Sequence, residues 1–522
     1  MNRLVWIAVS ALVLVFGCGK APESLLARLP AGSDIYASVD PEKISLNELM
    51  GRIEEAFPQA SAGVAAMQSV LGFSPLRWSS WQENLGLRAE GRLALVVRME
   101  NEEPQLVCLV LPTDDPAPLE ELLEKVPQAE ATFWVSQWNQ EYVLLAMSEE
   151  ESYLSDFRAT LDGPSLGSGE SLALLRGEQE GEEPAVELYG LPEEEDVGAV
   201  YVSVTAEGSR LVGRFAALPT GRDYEQFGAA VLASGSAGSD MRFPDDLMAM
   251  GRLSLDTREI ARIAGDRMPP DANAGLAFLG FGSIEEFMAA FNGDIFLGMA
   301  EDITSPRLVG AIGVADEEAV SGILTRLQGI MSMSGEQSVE SFTFEGRPAF
   351  RMEAPIQGGT QTVEVGLGYG VFYVVTGYSL SDVSGWRNYD ALSASLGAES
   401  PGDGAGHLTI DLSKAMDLAQ SQSGVDLGDL PELGWASLRL RAEDRVMVVE
   451  ASVDTGSSEP FLAMADLFLA IGRQLQAGAE ESGMPEISSP PAALEPQSVV
   501  EPGTLPPPPP PGEPEPLEVG TQ

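Results

Sequence analysis

The sequence predicts an α+β protein made of two tandem repeats, each a mainly antiparallel meandering sheet with helices on one face, followed by a disordered proline-rich tail. Three observations carry this reading. Apolar strands are numerous, hairpin-linked and adjacent in sequence, which is the order of an antiparallel α+β fold rather than a doubly wound parallel sheet. One order of strands, turns and helices occurs twice. The composition then changes abruptly at residue 484.

In the first repeat, residues 34–40 form a strand in which Ile35, Ala37 and Val39 alternate with Tyr36 and Ser38, giving one buried face. Ser45-Leu46-Asn47-Glu48 has capping-box spacing. Leu46, Leu49, Met50 and Ile53 then make an apolar helical stripe that Pro58 stops. Ser80-Trp81-Gln82-Glu83 is a second box, followed by a strand over 91–97, a turn with Pro104 and a strand over 106–111. Leu119, Leu122, Leu123 and Val126 mark a helix. Residues 133–135 with 142–147, and 200–206 with 210–218, read as hairpins, and Phe227 and Val231 mark a final helix.

The second repeat runs in parallel. A strand over 251–256 precedes the box Ser283-Ile284-Glu285-Glu286, a strand over 293–299, a turn with Pro306 and a strand over 308–314. Val320, Ile323, Leu324 and Leu327 then match the first helix. Hairpins follow at 362–367 with 371–376 and at 438–442 with 446–453. Phe461, Met464, Phe468, Ile471 and Leu475 mark the last helix. The repeats span 29–233 and 240–483, joined by a linker of small residues at 234–239.

The N-terminus carries Asn2 and Arg3, an apolar run over 4–16, and Val15-Phe16-Gly17-Cys18. That run is too short for a membrane-spanning helix, which needs about 20 residues. A charged n-region, a short h-region and a small residue before cysteine resemble the signal peptide and lipobox of bacterial lipoproteins. The resemblance implies cleavage after Gly17 and lipidation of Cys18, with a tether over 18–28. Three acyl chains, each buried methylene contributing about 0.8 kcal/mol, hold such a protein in the membrane. Gly19 in place of an aspartate favours the outer membrane on the same resemblance. Leu29-Pro30-Ala31-Gly32-Ser33-Asp34-Ile35-Tyr36 and Leu71-Gly72-Phe73-Ser74-Pro75-Leu76, followed by Trp81 and the strand after Gly91, resemble a family of uncharacterised bacterial envelope proteins. That resemblance covers residues 29–126. It implies an export signal and a hairpin-then-helix repeat, with no enzyme activity to transfer.

Eighty acidic residues against 30 basic ones give a net charge of −50, with only four lysines. Such a surface repels nucleic acid, whose binding rests on neutralising phosphates. It also repels anionic headgroups and other copies of itself. Cys108, in an apolar strand, reads as a small buried hydrophobe. His407, the one histidine, reads as a strand-end surface residue. No Gly-x-Ser-x-Gly elbow and no P-loop spacing occur. Gly366-Leu367-Gly368-Tyr369-Gly370 predicts a tight hairpin turn. Residues 178–196 hold nine acids without EF-hand spacing and read as an exposed acidic loop. Trp78, Trp81, Trp134, Trp138 and Trp386 either form a ligand platform or pack the core. In the tail, 484–522, thirteen prolines and six glutamates leave nothing to build a core.

The sequence therefore predicts no catalytic, cofactor-binding or metal-binding residue, and Cys18 as the modification site. The expected protein is a non-catalytic, lipid-anchored envelope protein, acting as a structural or interaction module. It would meet the membrane through its acyl chains and another envelope protein as partner. The alternatives are a carrier of an apolar ligand, held between sheet and helices, and a carboxylate-based hydrolase. A cavity of several hundred Å³ separates the first reading from these two.

Overall fold

The computed structural model describes residues 24–481, apart from 57–67, 69–70, 75–76, 102, 126–130, 178–182, 193–196, 221–227, 229–240, 268–271, 301–306, 335–338, 357–358, 396–404, 424–432 and 444–445. The signal segment, Cys18, the linker 234–239, the tail 484–522, and Pro58, Val126, Phe227, Val231 and Pro306 lie outside the described residues. The described residues up to 471 form one compact unit, and of a second, 472–522, only the end of the last helix is described.

Among the described residues the order opens with helix α1 (Leu25–Arg28), strand β1 (Ile35–Val39) and helices α2 (Leu46–Ala56) and α3 (Trp78–Leu85). Strands β2 (Leu93–Glu100) and β3 (Glu103–Leu111), helix α4 (Ala117–Lys125), and strands β4 (Thr132–Trp138) and β5 (Tyr142–Ser148) follow. Helices α5 (Glu151–Thr160) and α6 (Glu170–Arg176) precede β6 (Val186–Gly190), β7 (Val197–Glu207) and β8 (Arg210–Pro219). The second half opens with β9 (Arg242–Phe243), β10 (Leu247–Ser254) and helices α7 (Thr257–Arg267), α8 (Ala272–Leu279) and α9 (Ile284–Ala289). Next come β11 (Phe291–Ala300), β12 (Leu308–Val314), α10 (Glu317–Ser334), β13 (Val339–Phe344), β14 (Arg347–Ile356), β15 (Gly359–Gly368) and β16 (Val371–Thr376). The half closes with β17 (Arg387–Asn388), α11 (Tyr389–Ser395), β18 (Gly406–Asp411), α12 (Leu412–Ser423), β19 (Trp435–Glu443), β20 (Val446–Asp454) and α13 (Pro460–Glu481).

The protein is α+β, and its described strands form one eighteen-stranded antiparallel sheet and a small ribbon of β9 and β17. The two sheets expected from the sequence are thus continuous. They join where β8 pairs with β20, from Arg210↔Asp454 to Ala217↔Met447. Outward from that seam the order is β7-β6-β1-β2-β3-β5-β4 on one side. On the other it is β19-β18-β10-β11-β12-β16-β15, extended by β14 and β13. The two sides carry the same connectivity in mirror order. At the middle of the seam Arg214 faces Glu450, with Nη1 3.9 Å from Oε1, and Arg439 and Arg441 reach the same carboxylate.

Helices cover both faces of the first half, not one. On one face Tyr36, Val96, Cys108 and Tyr201 pack with Leu25 and Leu26 of α1, Leu154 and Phe157 of α5, and Leu172 and Leu175 of α6. On the other, Leu93, Leu111 and Val143 pack with Leu46 and Met50 of α2, Trp78, Trp81 and Leu85 of α3, and Leu119 and Leu122 of α4. Alternate residues of one strand feed opposite faces, so the near-continuous apolar runs of β2 and β3 have partners on both sides. The second half follows suit. Phe296, Val309 and Tyr373 pack with α11 and the β9–β17 ribbon, and Phe350, Val365 and Leu367 pack with α8 and α10.

Several local expectations change. Ser80 lies inside α3, whose N-cap is Arg77 with no side-chain bond. Ser45 adopts φ +51°, and its carbonyl, not its hydroxyl, accepts from Glu48 and Leu49. Ser283 does cap α9, accepting from the Glu286 amide, while the Glu286 carboxylate accepts from the Gly282 amide. In β1 Tyr36 and Ser38 are buried, and of the expected face Val39 is buried while Ile35 and Ala37 are half-buried. The turn at Tyr369-Gly370 is as expected: both residues have positive φ (56° and 71°), which a two-residue hairpin of this hand requires. In α13, Leu462 and Leu469 are buried and Phe468 is exposed, so the helix turns a different stripe inward.

The first residues of the fold correct the tether. Residues 24–28 are docked, with Leu25 and Leu26 fully buried and the Ser24 hydroxyl donating to Glu187 Oε2 over 2.7 Å. The acidic stretch is corrected too. Its middle is β6, paired on both sides with β1 and β7, and Glu187 is 0% exposed. That carboxylate accepts from the Tyr201 hydroxyl (2.9 Å) and pairs with Arg176 (3.1 Å) and the fully buried Arg92 (3.7 Å). A buried carboxylate is tolerable only with such partners. Arg92 also pairs with Glu183 at 2.6 Å. Burial raises the Glu183 carboxyl above its ordinary pKa, against the lowering effect of Arg92.

Candidate functional site

The two helical layers leave a gap on one face of the sheet. Cross-strand partners point to the same side, so the register defines that face. Val374 lies beside Gly310, then Leu297, Gly251, Leu408, Leu438 and Ala451, and across the seam Gly213. Flanking rows add Ile312, Ile295 and Leu253 on one side and Leu308, Met299 and Ala249 on the other. Six of these side chains, Leu297, Met299, Leu308, Val374, Leu408 and Leu438, are exposed large hydrophobics, with Leu297 65% exposed. Together they line an open groove of about 840 Å³. That volume lies within the range of about 300–1,000 Å³ usual for small-ligand sites.

The groove is almost wholly aliphatic. Among the described residues Thr376 is the one polar side chain that faces it by register. Arg252 and His407 belong to strands of its floor but alternate to the other face. Arg252 pairs with Asp294 at 3.3 Å and stacks over the Phe296 ring. His407 is buried, not at the surface as its position in the sequence predicts; its Nδ1 lies 2.8 Å from the Tyr389 hydroxyl. Among the described residues no carboxylate lines the groove, and these residues offer it neither an acid–base pair nor a metal-ligating set.

The remaining candidates fall elsewhere. Cys108 is fully buried, and burial pushes its thiol pKa up, as fits a packing residue. The tryptophans do not converge: Trp78 and Trp81 join one core, Trp134 and Trp138 a second, and Trp386 a third. Among the described residues no three His, Cys, Asp or Glu side chains sit close enough to hold a metal ion, and no helix is long and apolar enough to cross a membrane. The groove residues were not singled out from the sequence. Their signal was the unbroken apolar run of β11, Ile295 to Met299 with one glycine, which needs cover on both faces and receives it on one.

No family model matches the chain, and no curated protein does. Among solved structures it is similar to three crystal forms of TP0453. Form I is 11% identical with a TM-score of 0.22, covering 38% of this chain and 80% of that one. Form III is 12% identical with a TM-score of 0.24, covering 41% and 89%. Form IV is 10% identical with a TM-score of 0.22, covering 37% and 79%. Likeness at this level carries no argument about function.

Proposed function

We propose that this protein is a non-catalytic, lipid-anchored protein of the bacterial envelope that carries an apolar ligand in the groove on its sheet. The observation behind the proposal is the cluster of six exposed large hydrophobics on one face, lining about 840 Å³. Contiguous apolar surface of this kind marks interaction sites in soluble domains. The reading favours a carrier over a purely structural module, and the described residues of the groove, being almost wholly apolar, lend a carboxylate-based hydrolase no support there.

The other parts of the reading fit around the groove. Two repeats, 29–233 and 240–483, arise by duplication, which the mirror order of strands about the β8–β20 seam supports. The lipobox at Cys18 supplies the anchor, with the outer membrane as its location. Six residues, at no more than about 3.6 Å each, then leash the docked Ser24 within roughly 22 Å of the membrane-bound sulfur. The proline-rich tail over 484–522 is a spacer that leads to an envelope partner. The charge of −50 keeps nucleic acid away.

Native mass spectrometry after gentle extraction from membranes tests the central proposal. The full chain is expected to carry a non-covalent apolar mass that organic extraction removes. A chain that always emerges empty, and that takes up no apolar probe afterwards, overturns it.

A further inference from the structure

The two halves of the sheet differ on the flanks of one pair of equivalent leucines, Leu95 and Leu297. In the first half Ala37 of β1 lies in register with Leu95 of β2, and Leu109 of β3 lies beside Leu95 on its other side. Both pack against Leu95, which is 8% exposed. In the second half the corresponding neighbours of Leu297 are Gly251 of β10 and Gly310 of β12. With no side chain on either flank, Leu297 is 65% exposed.

Neither glycine is needed by the backbone, since neither has a positive φ. Nor does crowding require them. A Cβ at Gly310 would lie 3.7 Å from the Val374 carbonyl oxygen, and one at Gly251 would lie 3.4 Å from Leu408 Cδ1. Glycine weakens a strand interior, and in such a place it marks a site that another group approaches closely. Here what the glycines leave is open space on the groove floor.

We infer that Gly251 and Gly310 are the specificity-determining residues of the groove, and that its occupant is one unbranched acyl chain lying across the strands. This rests on the reading of the groove as an apolar-ligand site. The floor runs over six strands, β16 to β19, and at about 4.8 Å per strand that is a trough of roughly 24 Å. Among the described residues its apolar lining offers Thr376, at one end, as the polar side chain facing the groove, too little to orient a sugar, nucleotide or peptide backbone along that length. A second copy of the chain is disfavoured as the cover, because two bodies of charge −50 repel. The first half, with Ala37 and Leu109 in place of the glycines, is the closed form of the same surface.

The test uses the full mature chain and the variant Gly310→Leu, which copies the first half. cis-Parinaric acid is the fluorescent probe, with hexadecanol and dehydroergosterol as competitors. The native chain is expected to bind the probe and to release it to hexadecanol at lower concentration than to the sterol. Gly310→Leu is expected to bind at least tenfold more weakly while melting no lower than the native chain. Gly251→Ala, a smaller change, is the second variant and is expected to weaken binding in the same direction. Unchanged affinity in both folded variants, or preferential displacement by the sterol, overturns this inference and leaves the apolar-carrier reading standing. A native chain that binds none of the three overturns both.

Discussion

Replacing Glu187 by alanine tests how the first residues of the fold are held. Its carboxylate is inaccessible to water and takes bonds from Ser24, Tyr201 and Arg176, with Arg92 at 3.7 Å. Alanine at 187 takes from Arg92, itself only 1% exposed, the more distant of its two carboxylates and leaves it Glu183 at 2.6 Å. Ser24 and Tyr201 lose the acceptor of their hydroxyls, and Arg176 its carboxylate. Breaking one side of a buried ion pair costs about 3–5 kcal/mol where the other charge is stranded, and with Glu183 still beside Arg92 the loss is expected at the lower end of that range. The comparison is Glu141→Ala, which removes an exposed carboxylate 3.7 Å from Arg28. A pair of that kind contributes about 0–1 kcal/mol. Urea unfolding of the two variants, followed by the shift in midpoint at constant slope, measures the difference. A Glu187→Ala loss no larger than that of Glu141→Ala would refute the reasoning. It would mean that the β6 carboxylate does not hold α1 to the sheet.

Adjacent residues of β11 separate folding from binding. Phe296→Ala is expected to cost about 3–5 kcal/mol because its ring is buried, whereas Leu297→Asn is expected to change stability by no more than about 0.5 kcal/mol; thermal melting of both reads this out. In a Cys18→Ser chain, Cys108 is expected to resist alkylation in the folded state and to react fully in urea, because burial raises its thiol pKa; rapid labelling without denaturant would contradict this. Burial also pushes the Tyr373 hydroxyl up to about 12, more than the bond it accepts from the Arg242 amide lowers it. The neutral phenol is then favoured in the fold, the unfolded chain ionises first, and stability falls as pH rises from about 10 towards 12. Tyr373→Phe is expected to flatten that fall in a tyrosinate titration run beside a stability curve.

The hairpins were the most legible part of the fold. β4–β5, β7–β8, β15–β16 and β19–β20 lie where alternating apolar runs and turn residues put them. β6 was not legible, because its few apolar residues sit inside a run of nine acids and its buried Glu187 is neutralised by arginines distant in sequence. Nor was the second helical layer: alternation within a strand shows which residues share a face, but not what covers it. Tyr36 and Ser38 show this, since their face is buried by α1 and by Glu187 rather than by their own hydrophobicity. The groove is the same problem reversed. Leu297 and Phe296 are equally apolar in sequence, but Phe296 is enclosed with α11 and the β9–β17 ribbon, while Leu297 is exposed between Gly251 and Gly310.

Photo-cross-linking with a diazirine-bearing fatty alcohol, followed by peptide mapping, tests the groove most directly. Label is expected on peptides of β10, β11, β12 and β18, centred on Leu297, Met299 and Leu408, and competed away by unlabelled alcohol. Label that is spread over the surface, or that concentrates on the exposed Phe468 of α13 and leaves these strands clean, would contradict a ligand site on the sheet.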